Sequence, residues 1–487
     1  MQRQTLLGVA IAALIAAAAP AGAQPQPAPA PAANLAARPA LAEARARVAA
    51  RWAEIQATGF SGVVGVNLGD EAILRGASGF ADPAAHRPFT TETQFEIGSL
   101  TKAFTAAAIL KLQDEGKLKV SDPLSKFFPG IPADKAGITL HQLMTHSSGF
   151  TANTGGEADD LEPIGRDAML ARAFAQPLAG RPGEKLIYSN LGYGILAAVV
   201  ETVSGEPYET YLNREILAPA RTRHTGYGAA LDVANSDRTP DGTDIRTCCW
   251  GAQGPFWNLL GNGGLVSTLD DFIAWRRAFA LGRIVSPAAV TAAGTGWVPE
   301  DDGPGGEGYG WIIGASPTHG PAHLAAGGNA FFETYMVYYP AFDLTVLVHT
   351  NGKNAHIGFI ASQLVHALFG EPQPAAPTVS PDAGSPQEKA LLAGLGEALQ
   401  TNDAAARRAW LDAHVGPVFR QTVGFEAIVA RAEALHGRLA GSGPGEAAVL
   451  DQGAQIIFHP AGGAAVKVAI EFGGTPDAPR IAGFEAQ

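Results

Sequence analysis

Cysteine is scarce in this sequence of 487 residues, which contains two cysteines, the neighbours Cys248 and Cys249. No Cys-x-x-Cys pair is present, and two adjacent thiols cannot form a zinc cluster by themselves. A disulfide between neighbours is strained, although an exported location would permit one. A bonded pair and two ordinary buried thiols therefore both remain open.

Charge is also sparse. Charged residues make up 16% of the sequence and hydrophobic residues 46%, so most of the chain can bury a substantial core. The formal net charge is -12, with no basic run or stripe, and we therefore expect no nucleic-acid partner. The length fits one large domain with a small second one.

Long apolar runs are absent except near the N-terminus, where Arg3 precedes an apolar stretch at 6–19 and small residues follow at 21–23. This order is typical of a cleavable secretory signal at 1–23, cut after Ala23, and the stretch is too short to cross a membrane comfortably. The alternative is an uncleaved anchor. We expect a periplasmic or secreted protein without stable membrane insertion once the signal is removed.

Two segments rich in proline and alanine, at 24–40 and 371–386, divide the rest of the sequence. Such segments are extended or flexible and cannot build a core. They delimit a large domain at 41–370 and a tail at 387–487. The pattern of the tail predicts a small α+β domain of unknown role. A role in stability or in interaction is favoured over a catalytic role.

The large domain has the pattern of an α/β fold, with strands near both ends and helices in the middle. Strands from both ends would form one antiparallel sheet, with the helices packed on it or forming a lobe beside it. The predicted strands are 62–66, 72–77, 309–314, 333–339 and 344–349, followed by a closing helix at 357–369. In the tail we predict helices at 390–413 and 425–439 and strands at 448–458 and 465–472.

The residues suited to chemistry begin with Ser99 and Lys102. The stretch 100–112 is apolar nearly all round and predicts a buried helix, with Lys102 in its first turn. The two side chains share one face of that helix, and a buried lysine is costly unless it is paired. Ser99 follows Gly98 at the helix N-terminus, where backbone N–H groups favour a developing oxyanion. A nucleophile and its base thus coincide; the alternative is a serine cap beside a snorkelling lysine.

Tyr188 and Asn190 form a second set, just before another apolar helix pattern at 191–203. A phenol beside a lysine can act as a base or a proton relay, and the Asn190 amide could hold a substrate amide. Taken alone, this tripeptide is also typical of a loop tyrosine followed by a hydrogen-bonding asparagine.

Ser99-x-x-Lys102 and Tyr188-x-Asn190, in this order and spacing, resemble the serine β-lactamase and penicillin-binding protein superfamily, and most of all its class C β-lactamase and esterase branch. The resemblance covers roughly residues 45 to 370. It implies an antiparallel sheet flanked by helices with a helical lobe, the β-lactamase/transpeptidase-like fold. It also implies an acyl-enzyme mechanism without metal or cofactor, in which Ser99 attacks a carbonyl carbon. Further linked matches lie at 95–99, 143–149, 190–194 and 263–268.

One departure concerns the third motif of that family, a basic residue, a small residue and glycine on a strand beside the nucleophile. The matching stretch begins at Ala325, where lysine or histidine is expected to help bind a substrate carboxylate. Gly327 and Gly328 remain, and the N–H of Gly328 could serve as the second oxyanion donor. His323 would share the face of Ala325 and could replace the basic residue if the strand is bulged. The alternative is a histidine at a strand end.

Signatures of other hydrolases are missing, including Gly-x-Ser-x-Gly, His-Glu-x-x-His and a phosphate-binding loop with lysine. His146, in the family-like loop, is interpreted as structural. The sequence therefore predicts an exported serine hydrolase that cleaves an ester or amide bond of a small-molecule or peptide acyl substrate. The alternatives are a class C-like β-lactamase or D-alanyl carboxypeptidase, and a weakly catalytic regulatory or binding protein.

Overall fold

The structure is a computed structural model, and the signal predicted at 1–23, nearly all of the spacer at 24–40 and most of the linker at 371–386 lie outside the residues it describes. Within those residues, no helix is long and apolar enough to cross a membrane. The described residues are 38–153, 162–250, 254–299, 305–329, 331–352, 356–374, 385–416, 420, 425–439, 441–449, 454–460, 465–475 and 478–486.

An eight-stranded antiparallel sheet lies at the centre of residues 41–370, which are called the large unit below. The strands of this unit, both in the sheet and outside it, are β1 Gly62–Leu68, β2 Glu71–Ser78, β3 Phe80–Asp82, β4 Arg87–Pro88, β5 Phe95–Glu96, β6 Val266–Ser267, β7 Val298–Pro299, β8 Gly306–Glu307, β9 Ile312–Ser316, β10 Gly320–Gly328, β11 Glu333–Tyr339 and β12 Leu344–Thr350. Their order across the sheet is β2-β1-β12-β11-β10-β9-β8-β7, with β3–β4 and β5–β6 as separate pairs. β1 from the start of the chain pairs with β12 from its end, as predicted.

Helices cover both faces of this sheet. The helices of the unit are α1 Leu41–Ala57, α2 Thr101–Asp114, α3 Ala133–Ala136, α4 Leu140–Met144, α5 Arg166–Ala175, α6 Asn190–Ser204, α7 Tyr208–Tyr211, α8 Leu269–Ala280, α9 Pro287–Ala293 and α10 Ile357–Phe369. On one face α1 and α10 bury Trp52 and Leu364. On the other face α2, α6 and α8 form a larger core, in which Phe104 stacks on Trp275. The predicted α/β class with an antiparallel sheet flanked by helices is confirmed.

One strand lies further along the chain than the prediction of 309–314. Gly310 has a φ of +76°, and a β-carbon there would lie 2.6 Å from the Cα of Ala103 in α2. The chain therefore turns tightly against α2 at this glycine. β9 begins only after the turn, at Ile312.

The tail has its own hydrophobic core. The helix predicted at 390–413 is two helices, because the Asp403 carboxylate accepts hydrogen bonds from the first backbone N–H groups of the second one. The strand predicted at 448–458 is a hairpin, and the last strand was not predicted. The elements are α11 Pro386–Gln400, α12 Ala404–His414, α13 Phe425–Arg438, β13 Glu446–Val449, β14 Ala454–Phe458, β15 Val466–Thr475 and β16 Ala478–Ala486.

Cys248 and Cys249 are bonded to each other in a disulfide. Both are buried, in a small cluster with Trp250, Leu259 and Phe332. Of the two alternatives left open by the sequence, the structure has the bonded pair.

Candidate active site

Ser99 lies in the tight turn Gly98–Leu100, which leads directly into α2. Gly98 has a φ of +52°, and a β-carbon there would lie 2.4 Å from the backbone nitrogen of Gly328. Only glycine combines this left-handed backbone with so close an approach. Ser99 is thus held at the N-terminus of a buried helix, as predicted.

Lys102 extends from the first turn of α2 and is 3% exposed. Its Nζ lies 3.0 Å from Ser99 Oγ, 2.7 Å from Asn190 Oδ1 and 2.8 Å from the carbonyl oxygen of Asn262. These three partners are all uncharged. The buried amine is therefore surrounded by hydrogen-bonding oxygens, one of which belongs to the candidate nucleophile.

Tyr188 provides a second partner for the same serine. Its phenol oxygen lies 2.9 Å from Ser99 Oγ, and Lys102 Nζ lies 4.9 Å from the centre of its ring. The residue is 42% exposed, so the phenol stands at the mouth of the site.

Asn190 is the first residue of α6. Ser189 caps this helix, because its hydroxyl accepts from the backbone N–H of Gly192 at 2.9 Å and donates to the carbonyl of Thr151 at 2.7 Å. The cap fixes the direction of the chain between Tyr188 and α6. The structure therefore brings Lys102, Tyr188 and Asn190 together around Ser99.

The end of β10 packs directly against the nucleophile. A β-carbon at Gly327 would lie 2.4 Å from the backbone nitrogen of Ser99 and 2.5 Å from the carbonyl oxygen of Ile97. Thr334 of β11 pairs with Gly327, and its hydroxyl donates to the carbonyl of Glu96 at 3.2 Å. These contacts place Gly327 and Gly328 beside Ser99, where the sequence predicts substrate contacts.

His323 does not belong to this group, and the bulge on which its possible substitution for the missing basic residue depended is absent. β10 pairs with β11 in continuous register, without the bulge that such a substitution needs. Four residues of strand separate His323 from Gly327, roughly 13 Å. Instead, Arg276 Nη2 donates to His323 Nδ1 at 3.0 Å, and burial together with this positive charge lowers the pKa of His323 to about 3. Ala325, 7% exposed, lies in the core with no basic substitute from this strand.

Two partners of the site were not predicted. Asn262 contributes its backbone carbonyl, an atom that every residue has, so no side-chain pattern could have singled it out. Asn153 Oδ1 accepts from Asn190 Nδ2 at 3.1 Å, and a lone loop asparagine likewise carries no distinctive spacing. In the part of the chain that the structure describes, no group of three or more histidine, cysteine, aspartate or glutamate side chains could hold a metal ion.

The sequence model of the β-lactamase family matches residues 44–366, more than half of the chain. The chain belongs to the β-lactamase family. Penicillin-binding protein 4* of Bacillus subtilis (strain 168) is 26% identical to it over 337 residues, which cover 64% of this chain and 73% of that protein. The resemblance to penicillin-binding proteins inferred from the motifs is therefore confirmed.

Solved structures show that the β-lactamase/transpeptidase-like fold is shared. EstCE1, a hydrolase with promiscuous acyltransferase activity, has a TM-score of 0.58 at 24% identity, covering 67% of this chain and 100% of its own. The D-alanine carboxypeptidase AmpC from Burkholderia cenocepacia has a TM-score of 0.54 at 21% identity, covering 68% and 99%. Hydrolases are thus among the neighbours of this β-lactamase-family chain, which is consistent with a serine hydrolase.

Proposed function

We propose that this protein is an exported serine hydrolase that cleaves an ester or amide bond through an acyl-enzyme on Ser99. One observation carries the proposal. Ser99 Oγ lies within hydrogen-bonding distance of both Lys102 Nζ, at 3.0 Å, and the Tyr188 phenol, at 2.9 Å. A nucleophile with two proton-transfer groups in reach is the arrangement that serine acylation needs.

Lys102 is the base in this proposal. A base must be unprotonated, and in that form Lys102 donates its two N–H groups to Asn190 Oδ1 and the Asn262 carbonyl, which can only accept hydrogen bonds. The amine lone pair is then left for the Ser99 hydroxyl. As Ser99 Oγ bonds to the substrate carbonyl carbon, its proton moves to Lys102, and the carbonyl electron pair moves to the oxygen.

The resulting oxyanion is held by the backbone N–H groups of Ser99 and Gly328. The contact between Gly327 and the Ser99 backbone keeps these two donors close together. On collapse, the bond to the leaving group breaks, and the leaving group takes a proton from the Tyr188 phenol, which recovers one from Lys102. Water then hydrolyses the acyl ester and frees Ser99.

The substrate class follows from Ala325. A small apolar side chain stands where the family resemblance implies a basic residue, and His323 is hydrogen-bonded to Arg276. Neutral small-molecule or peptide esters and amides are therefore favoured over substrates that must be held by a carboxylate next to the reacting bond. Export is supported by the signal pattern at 1–23, with cleavage after Ala23 and a periplasmic or secreted destination.

The test compares a p-nitrophenyl ester and a chromogenic cephalosporin as substrates of residues 24–487 and of the same protein carrying Ser99→Ala. Ester turnover that the variant loses supports the proposal, including the role of Ala325. Cephalosporin turnover that depends on Ser99 would instead favour a class C-like β-lactamase. Ester turnover retained by Ser99→Ala would overturn the assignment of the nucleophile.

A further inference from the structure

His146 holds the chain on both sides of Tyr188. Its carbonyl oxygen accepts from the backbone N–H of Ile187 at 2.7 Å. Its ring Nδ1 accepts from the backbone N–H of Ser189 at 3.1 Å. Its ring packs against the Tyr188 ring, with centres 4.4 Å apart and planes inclined by 33°. One residue thus contacts three consecutive residues, with the phenol-bearing one in the middle.

The histidine ring can accept the hydrogen bond from Ser189 at any ordinary pH. Burial lowers the pKa of His146 to about 3. The ring therefore remains neutral at ordinary pH, and Nδ1 keeps the lone pair that the Ser189 N–H needs. Ser189 is itself fully buried, so this N–H has a strong need for an acceptor.

The loop that carries His146 is also fixed. His146 has a φ of +52°, a backbone conformation that few non-glycine residues adopt. The next residue, Ser147, accepts from the N–H of Gly183 at 2.7 Å, and Gly149 accepts from the N–H of Ala179 at 2.8 Å. Four hydrogen bonds and one ring contact therefore join this loop to the segment 179–189, which carries Tyr188.

Tyr188 needs such support. It is largely exposed for an aromatic residue, at 42%, and its phenol must stay within 2.9 Å of Ser99 Oγ. We infer that His146 is a positioning residue for Tyr188, which sets the phenol on Ser99 without touching the reacting atoms. This inference rests on the proposed function, because it requires Tyr188 to take part in acyl transfer.

Two variants of His146 separate its ring contact with Tyr188 from its hydrogen bond with Ser189. His146→Asn tolerates the left-handed backbone and keeps an acceptor near Nδ1, but it removes the ring contact. His146→Phe keeps a planar ring but removes the acceptor. We expect each to lower kcat for the p-nitrophenyl ester by about 10- to 100-fold, with KM changed by less than about threefold, because misplacing one group by about 1 Å can cost about 100-fold.

The deciding experiment repeats both changes in a Tyr188→Phe background. If His146 acts through Tyr188, neither change lowers kcat further by more than about twofold. His141→Asn is the matched control, since His141 is a partly buried histidine of α4 whose Nδ1 lies 2.8 Å from the Tyr309 hydroxyl instead. We expect it to leave kcat unchanged in both backgrounds.

The failures can be told apart. Full activity of Ser99→Ala would overturn the proposed function. Full activity of Tyr188→Phe would overturn the role of Tyr188 and this inference with it. Equal losses from His146→Asn in both backgrounds, with Ser99 and Tyr188 essential, would overturn only the inference. Since asparagine adopts the left-handed backbone conformation readily, His146→Asn tests the inference even if His146→Phe does not fold.

Discussion

A β-carbon on Gly327 would lie 2.4 Å from the backbone nitrogen of Ser99. The β-carbon would be bonded directly to the main chain of β10, and the nitrogen belongs to the main chain of the Ser99 turn, so neither can move aside as the end of a flexible side chain would. We therefore expect Gly327→Ala to push the Ser99 N–H away from the oxyanion and to lower ester turnover by about 100-fold or more. Steady-state kinetics with the p-nitrophenyl ester will measure the loss.

The control for that change is Gly358→Ala in α10. Its β-carbon would lie 3.5 Å from the Tyr335 ring, an ordinary contact on the face of the sheet away from Ser99. Turnover should stay within about twofold of the wild-type value, because no group of the site moves. Wild-type turnover in Gly327→Ala would contradict the close contact between β10 and the nucleophile.

Removal of the Lys102 amine should abolish acylation while the fold persists. Lys102→Met keeps a similar shape, and we expect turnover to fall by about 100- to 10,000-fold, the usual contribution of a general base. Two buried oxygens, Asn190 Oδ1 and the Asn262 carbonyl, lose a donor, so the free energy of unfolding should fall by about 1–3 kcal/mol. Lys126→Met, which removes only a surface ion pair with Asp122, should leave turnover unchanged. More than a tenth of wild-type turnover in Lys102→Met would be inconsistent with its role as base.

A basic residue at position 325 should restore recognition of carboxylates. We expect Ala325→Lys to raise kcat/KM for an ester bearing a carboxylate by about tenfold, the effect of about 1.4 kcal/mol, with little change for the neutral ester. The free energy of unfolding should fall, because position 325 is buried. Ala326→Lys is the matched control, since neighbouring residues of a strand point to opposite faces and Ala326 is exposed. An equal gain from both changes would mean that a general charge effect, rather than position 325, is responsible.

Stability should decrease in mild acid because of two buried imidazoles. Burial lowers the pKa of both His146 and His323 to about 3, against about 6.5 in an unfolded chain. Above pH 6.5 neither state binds these protons; below it the unfolded state binds them and the folded state does not. The free energy of unfolding therefore falls between pH 6.5 and 3, and by pH 4.5 each ring accounts for about 2–3 kcal/mol.

Urea unfolding at pH 7.5, 5.5 and 4.5 will measure this loss. His323→Gln keeps an acceptor for Arg276 but cannot titrate, so its stability should depend less steeply on pH, by the contribution of one proton. An unchanged pH dependence in His323→Gln would show that His323 does not contribute to the acid sensitivity.

Local patterns predicted that Ser99 and Lys102 lie together at the start of a buried helix, whereas adding Tyr188 and Asn190 needed the family resemblance. The apolar stretch around Lys102 and the glycine before Ser99 already contain the buried helix and its open N-terminus. β1 and β12 were also predicted from local patterns, and their membership of one antiparallel sheet was predicted from the strands found near both ends of the domain. The disulfide between Cys248 and Cys249 could not be decided from the sequence, because it depends on how the surrounding chain packs.

The remaining features depend on contacts between distant segments. No residue near His323 in the sequence predicts its hydrogen bond with Arg276, which comes from α8 and donates to the histidine ring. The Asn262 carbonyl reaches Lys102 because of the path of its loop, and the identity of the Asn262 side chain does not determine this. The later start of β9 likewise follows from the contact of Gly310 with α2, which no local pattern contains.

The first and last helices of the large unit touch each other. Arg47 of α1 donates to the carbonyl oxygens of Ala367 and Leu368 at the end of α10, at 2.9 and 2.7 Å. Since Arg47 is less than two turns from the start of α1, the chain enters and leaves this unit at points on the order of 15 Å apart. A short linker of about six residues spans that distance, so the unit is suited to circular permutation, with new termini placed at an exposed turn far from Ser99.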